Sequence, residues 1–139
     1  MMSYILLDID TQNIKPNQII EASEWLNVRK NITIVEGVYG FKKDDEFVYI
    51  GASGKIVNRV SSWIAGNLSY KIKVFEEFVN FIKENLGSLS IHLFVHEDYK
   101  ELKAKMIYDF KPRFNTKGKG DYYILVRKLA KELREKNNH

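Results

Sequence analysis

The sequence predicts an α/β fold: a small central antiparallel or mixed β-sheet flanked by helices. Three observations carry this. Residues 31–51 read as two strands joined by a short polar turn. Two stretches of helical periodicity follow back to back, and after them come a lone strand and a helix stopped by proline. The order hairpin, helix, helix, strand, helix lacks regular βα alternation. That speaks against a doubly wound sheet and for a small sheet with helices packed on it.

Ser3 to Ile9 has the composition of a short strand. Pro16 suits the first turn of a helix, where its missing N–H is no loss. Ile19, Ile20, Trp25 and Leu26 then give a rough helical stripe to about Val28. Asn31 to Phe41 is rich in β-formers, Lys42-Lys43-Asp44-Asp45 makes a four-residue polar turn, and Glu46 to Gly51 returns. Ile56, Val60, Trp63 and Ile64 recur at helical spacing, as do Val74, Phe75, Phe78, Phe81 and Ile82. Leu89 to His96 is strand-like. Tyr99 to Phe110 is helical and ends before Pro112, because the residue preceding a proline is pushed out of the helical region. Tyr122 to about Lys136 is a last, highly charged helix. Three regions are expected: an N-terminal extension (1–35), a central domain (36–116), and a basic loop with the C-terminal helix (117–139).

Composition bounds the function. At 139 residues, 45% hydrophobic and 29% charged, the chain has the material for one folded domain with a single core. The absence of cysteine removes disulfides, thiol catalysis and thiolate-bound zinc. His92 and His96 share a strand face and read as solvated rather than as a zinc pair. No apolar run is long enough to span a bilayer, and no signal peptide is visible, so no membrane partner and a cytoplasmic location are expected. A net charge of +4 fits a polyanionic partner. Oligomeric state stays open, with a homodimer conceivable through the apolar stripe of the last helix.

The chemistry concentrates around the hairpin. Tyr39 and Tyr49 lie on its two strands and can share one face of the sheet. Gly51 ends the second strand where the chain turns into a helix. Arg59 falls in the early turns of that helix, with Lys55 four residues before it on roughly the same side. Two phenols and a guanidinium at a strand–helix junction suit a phosphate: arginine binds its oxygens bidentately, and a phenol can donate a hydrogen bond or carry a proton. Singly, each of these residues reads as structural, and their joint spacing is what points to function.

Gly37-Val38-Tyr39, nine intervening residues, Tyr49-Ile50-Gly51, and then Arg59 eight residues on form a string that resembles the GIY-YIG endonuclease signature. The segment Met106 to Asn115, with its Pro112-Arg113-Phe114-Asn115, resembles the family's closing helix and the element after it. The resemblance covers roughly Glu36 to Asn115. It implies a GIY-YIG-type fold and metal-dependent cleavage of DNA. It further implies that Tyr39 or Tyr49 helps activate water, that Arg59 steadies charge on the phosphate, and that a glutamate on the closing helix holds Mg²⁺ or Mn²⁺. Asn115 would brace the loop after that helix.

One position departs from that pattern. The metal glutamate belongs nine residues before the proline, and Lys103 stands there. A protonated lysine has no acceptor and cannot ligate a cation. Glu101 lies roughly 200° around the helix from Lys103 and Asp98 about 140°. Glu76, Glu77 and Glu84 sit on the preceding helix. Two alternatives follow: a displaced carboxylate, Glu101 foremost, holds the metal, or the site has lost its metal and Lys103 grips a phosphate in a domain that binds DNA or a protein partner without cutting. Four residues after Arg59 the family often carries His or Tyr. Here Trp63 stands, and it reads as core. Lys111, Arg113, Lys117 and Lys119 cluster near Phe114 as further candidate nucleic-acid contacts.

Overall fold

The computed structural model describes residues 9–66, 73–115 and 131–136. The first strand, β1 (Gln18–Glu21), is followed by a run of short helical turns, of which α1 (Trp25–Val28) is the α-helical part. Then come β2 (Gly37–Lys43), β3 (Glu46–Ser53), α2 (Ile56–Ala65), α3 (Lys73–Glu84), β4 (Ser90–Phe94) and α4 (Tyr99–Phe110). The four strands form one sheet in the order β1-β4-β2-β3, and every pairing is antiparallel. The predicted small antiparallel sheet with flanking helices is therefore observed.

Side chains alternate between two layers, as the pleat requires. Tyr39, Phe41, Ile91 and Leu93 face a core shared with Trp25 and with Ile56, Val60 and Trp63 of α2, and Phe78, Val79 and Ile82 of α3. Val38, Ile50 and Phe94 face the other way, onto Leu102, Met106 and Ile107 of α4. The sheet is thus covered by α1, α2 and α3 on one side and by α4 on the other.

Three expectations are corrected. The helix read from Pro16 to Val28 is instead an edge strand followed by short helical turns. The Asn17 amide donates to the Leu93 carbonyl (2.8 Å) and its Oδ1 accepts from the Val95 amide (2.8 Å), seating the segment on β4. Only Ile20 of β1 is buried, so alternation over four residues leaves too faint a period to see. Trp25, fully buried, donates from Nε1 to Ser61 Oγ (3.0 Å) and ties the helical turns to α2. The strand expected from Asn31 begins only at Gly37. The four-residue hairpin loop is a two-residue turn: Asp44 and Asp45 both take positive φ (51° and 63°), as a type I′ turn requires, and Lys43 pairs with Glu46 across it.

The expected strand at Ser3–Ile9 lies outside the described residues except for Ile9, which is not in a strand. Of the expected last helix, residues 131–136 are helical and the remainder lies outside the described residues. No helix among the described residues is long and apolar enough to cross a membrane.

The segment after α4 completes the sheet. Lys111 ends the helix in the left-handed region (φ 46°), with its amide donating to the Ile107 carbonyl (2.8 Å). Beyond Pro112, the Phe114 amide donates to the Val48 carbonyl (2.9 Å). The buried Asn115 side chain then accepts from the Ile50 amide and donates to the Ile50 carbonyl, both at 2.9 Å. β3 is an edge strand, and these contacts occupy part of its free edge.

Candidate functional site

The hairpin register sets Tyr39 opposite Gly51 and Phe41 opposite Tyr49, which puts both tyrosines on the α2–α3 side. Their rings lie 6.2 Å apart. Tyr49 stacks on Phe78 at 4.7 Å. Tyr39 reaches across onto the backbone of Gly51: a Cβ built there would sit 2.4 Å from its Cζ and its hydroxyl oxygen. Glycine is required at this position because the phenol occupies the space of a side chain. Gly51→Ala is expected to destabilise the fold by about 1–3 kcal/mol, the usual cost of overpacking. Urea unfolding checks this, and an unchanged midpoint would show that the contact is not made.

Trp63 packs in the core as expected and also does something its sequence position did not reveal. It is buried, and its Nε1 donates to the Tyr39 hydroxyl oxygen at 2.9 Å. Tyr39 is only 2% exposed. Burial pushes its pKa above the ordinary tyrosine range, and the charge of Tyr49 adds to this against the Trp63 hydrogen bond and the Arg59 charge. Burial likewise raises Tyr49, opposed by its hydrogen bond with Tyr39 and by Arg59. Both phenols are neutral at physiological pH. They can donate hydrogen bonds, and neither is a ready base.

The face of α2 away from the core carries the charged part of the site. Ser53, Gly54, Lys55, Asn58, Arg59 and Ser62 line an open groove of about 520 Å³. Arg59 is exposed and close enough that its charge acts on both phenols. Lys55 is the N-cap residue, and no side chain caps the helix. The Ile56 amide is taken by the Val35 carbonyl, while the next two amides have no partner within the helix, so the positive end of the helix dipole opens on the groove. Every charged group in the lining is a cation. The structure thus brings Lys55 and Arg59 together as predicted. Asn58 and Ser62 were missed, although Lys55, Asn58, Arg59 and Ser62 follow the i, i+3, i+4, i+7 spacing of one helix face.

α4 approaches the same place from the other side of the sheet. The Tyr99 hydroxyl comes within 3.8 Å of where a Cβ on Gly54 would stand. Lys103, one turn later and half-buried, shares the Tyr99 face of the helix. Glu101 points off that face. Glu76, Glu77 and Glu84 are exposed on α3. The residues present do not fit a divalent cation: the groove lining offers no carboxylate, and no group of three or more His, Asp or Glu that could hold a metal occurs among the described residues.

The remaining candidates separate. Lys111 donates from Nζ to the Tyr108 carbonyl (3.0 Å) and lies over the Tyr108 ring. Arg113 lies over Phe81 and Phe114. Neither lines the groove. Lys117 and Lys119 fall outside the described residues. His92 corrects its expected solvated role: it is 8% exposed, with its ring edge-to-face on Phe47. His96 lies beyond β4, where its Nδ1 accepts from the Asp98 amide (2.9 Å).

No protein-family model and no curated protein matches the chain. Among solved structures, it is similar to the GIY-YIG N-terminal endonuclease domain of UvrC from Thermotoga maritima. Against the magnesium-bound form the TM-score is 0.44 at 23% identity, over 65% of this chain and 97% of that one. Against two point mutants of that domain bound to the catalytic divalent cation it is 0.44 and 0.45 at 22% identity, over 66% of this chain and 97% of those.

Proposed function

We propose that this chain is a GIY-YIG-type domain that binds the DNA backbone at the N-terminus of α2 and does not cut it. The cation-only lining of the groove carries this reading. Lys55, Arg59 and two amides with no partner within the helix converge where a phosphodiester would sit, and Lys103 adds charge from α4, while Tyr39 stays buried behind them on Trp63. Phosphate binding at a helix N-terminus follows from the dipole and the free amides.

Fluorescence anisotropy of a labelled duplex over a salt series tests it. Lys55→Ala and Arg59→Ala are each expected to weaken binding and to reduce the salt slope by about one. Salt-insensitive binding, or variants that bind like the parent, would overturn the reading.

A second reading is favoured by the closeness of both phenols to Arg59: a metal-dependent endonuclease in which Glu101, displaced from the usual position, holds Mg²⁺ or Mn²⁺. Plasmid nicking that needs the cation and disappears in Glu101→Ala would select it.

A further inference from the structure

We propose that the opposite face of the sheet carries a second, separate binding site, for a neutral planar heterocycle of nucleoside size. α4 packs on β2 and β3, and the β4–β1 side of that face is bordered by the chain from Thr11 to Pro16 and by no described helix. His92 pairs with Ile19 on one side and Gly40 on the other. The Phe47 ring fills the space above Gly40, and Ile19 is 55% exposed despite lying opposite a buried residue. The result is a cavity of about 430 Å³. This falls within the roughly 300–1,000 Å³ range of small-molecule sites.

The lining defines the ligand. Phe47, Phe94 and Phe110 line the cavity, with Phe110 on Phe47 at 4.9 Å and Phe47 edge-to-face on His92 at 5.8 Å. Such aromatic walls favour a flat ring. Lys42 of β2 and Asp45 of the hairpin turn add one donor and one acceptor to the lining, and their charges cancel. Lys42 is also drawn over the Phe47 ring (5.0 Å), which weakens any demand for an anion. His92 engages Ser90 Oγ through Nε2 (2.9 Å). Burial, helped by Lys42, lowers its pKa to about 4, so the ring is a neutral hydrogen-bonding group. A flat ring with donors and acceptors on its edge and no net charge meets these demands. The site shares no lining residue with the α2 groove and does not depend on the function proposed for it.

The experiment is an NMR titration of the isotopically labelled full chain with adenosine, guanosine, cytidine and uridine in turn. Saturable shifts of the His92 and Phe110 ring resonances are expected with at least one of them. Lys42→Ala and Asp45→Ala are each expected to weaken that binding about tenfold, the loss of one hydrogen bond. Arg59→Ala is expected to leave it unchanged. Absent or non-saturating shifts, shifts confined to α2, or Lys42 and Asp45 variants that bind like the parent would overturn the proposal. So would contacts from His92 to the first eight residues of the chain without any nucleoside response, since the chain would then fill its own cavity.

Discussion

Lys103→Glu is expected to give the chain nicking activity on plasmid DNA that depends on Mg²⁺ or Mn²⁺, at about a hundredfold or more above the parent protein. Lys103 lies one helical turn beyond Tyr99, on the face that Tyr99 turns toward Gly54 at the groove. The substitution would supply a carboxylate from α4 to a groove whose charged lining is otherwise Lys55 and Arg59. A divalent cation beside a phosphoryl oxygen is worth several kcal/mol of transition-state stabilisation, and each 1.36 kcal/mol is about tenfold in rate. Nicking that fails to exceed the parent's with either cation, in a variant that melts like the parent, would mean that more than this residue separates the site from hydrolysis. Cation-dependent cutting by the parent itself would overturn the non-cutting reading.

Asn115→Ala is expected to lower stability by about 3 kcal/mol and Tm by roughly 10 °C. Both hydrogen bonds of this side chain go to the backbone of Ile50, which is 1% exposed. Removing the amide leaves a buried N–H and a buried carbonyl on β3 without partners. Calorimetry or urea unfolding measures the loss. A fall below about 1 kcal/mol would show that water replaces the side chain freely. Weakened DNA binding at unchanged stability would instead assign Asn115 to the groove.

Legibility in the sequence followed the strength of the local signal. α4 was read at its observed bounds because Pro112 stops it. The hairpin was readable from strand composition, but the sharing of a face by Tyr39 and Tyr49 was not, because it depends on a register shift between Phe41 and Lys42 that spacing does not announce. β1 was not readable: its four residues bury one side chain and are held by hydrogen bonds to β4, some seventy residues away, and Pro16 signals a helix start as readily as a strand start. The turn was misjudged because Asp-Asp, unlike Asn-Gly or Asp-Gly, does not announce positive φ at both positions. Within the site, Lys55 and Arg59 were legible as charges near a glycine. The Trp63–Tyr39 hydrogen bond was not, because it joins a helix to a strand through a geometry that only the packed core defines. The seclusion of Tyr39, which makes it a poor base, has the same origin.

The covering of β3 by the segment after Pro112 bears on how the protein can self-associate. A sheet with two open sides can add strands from successive copies without end, which is the route to fibres. Here Phe114 and Asn115 take backbone groups of Val48 and Ile50 along one margin. Among the described residues, β1 is left as the other margin, four residues long. The geometry that holds Tyr49 and Gly51 in place therefore also blocks, among the described residues, strand addition along the Val48–Ile50 stretch of β3.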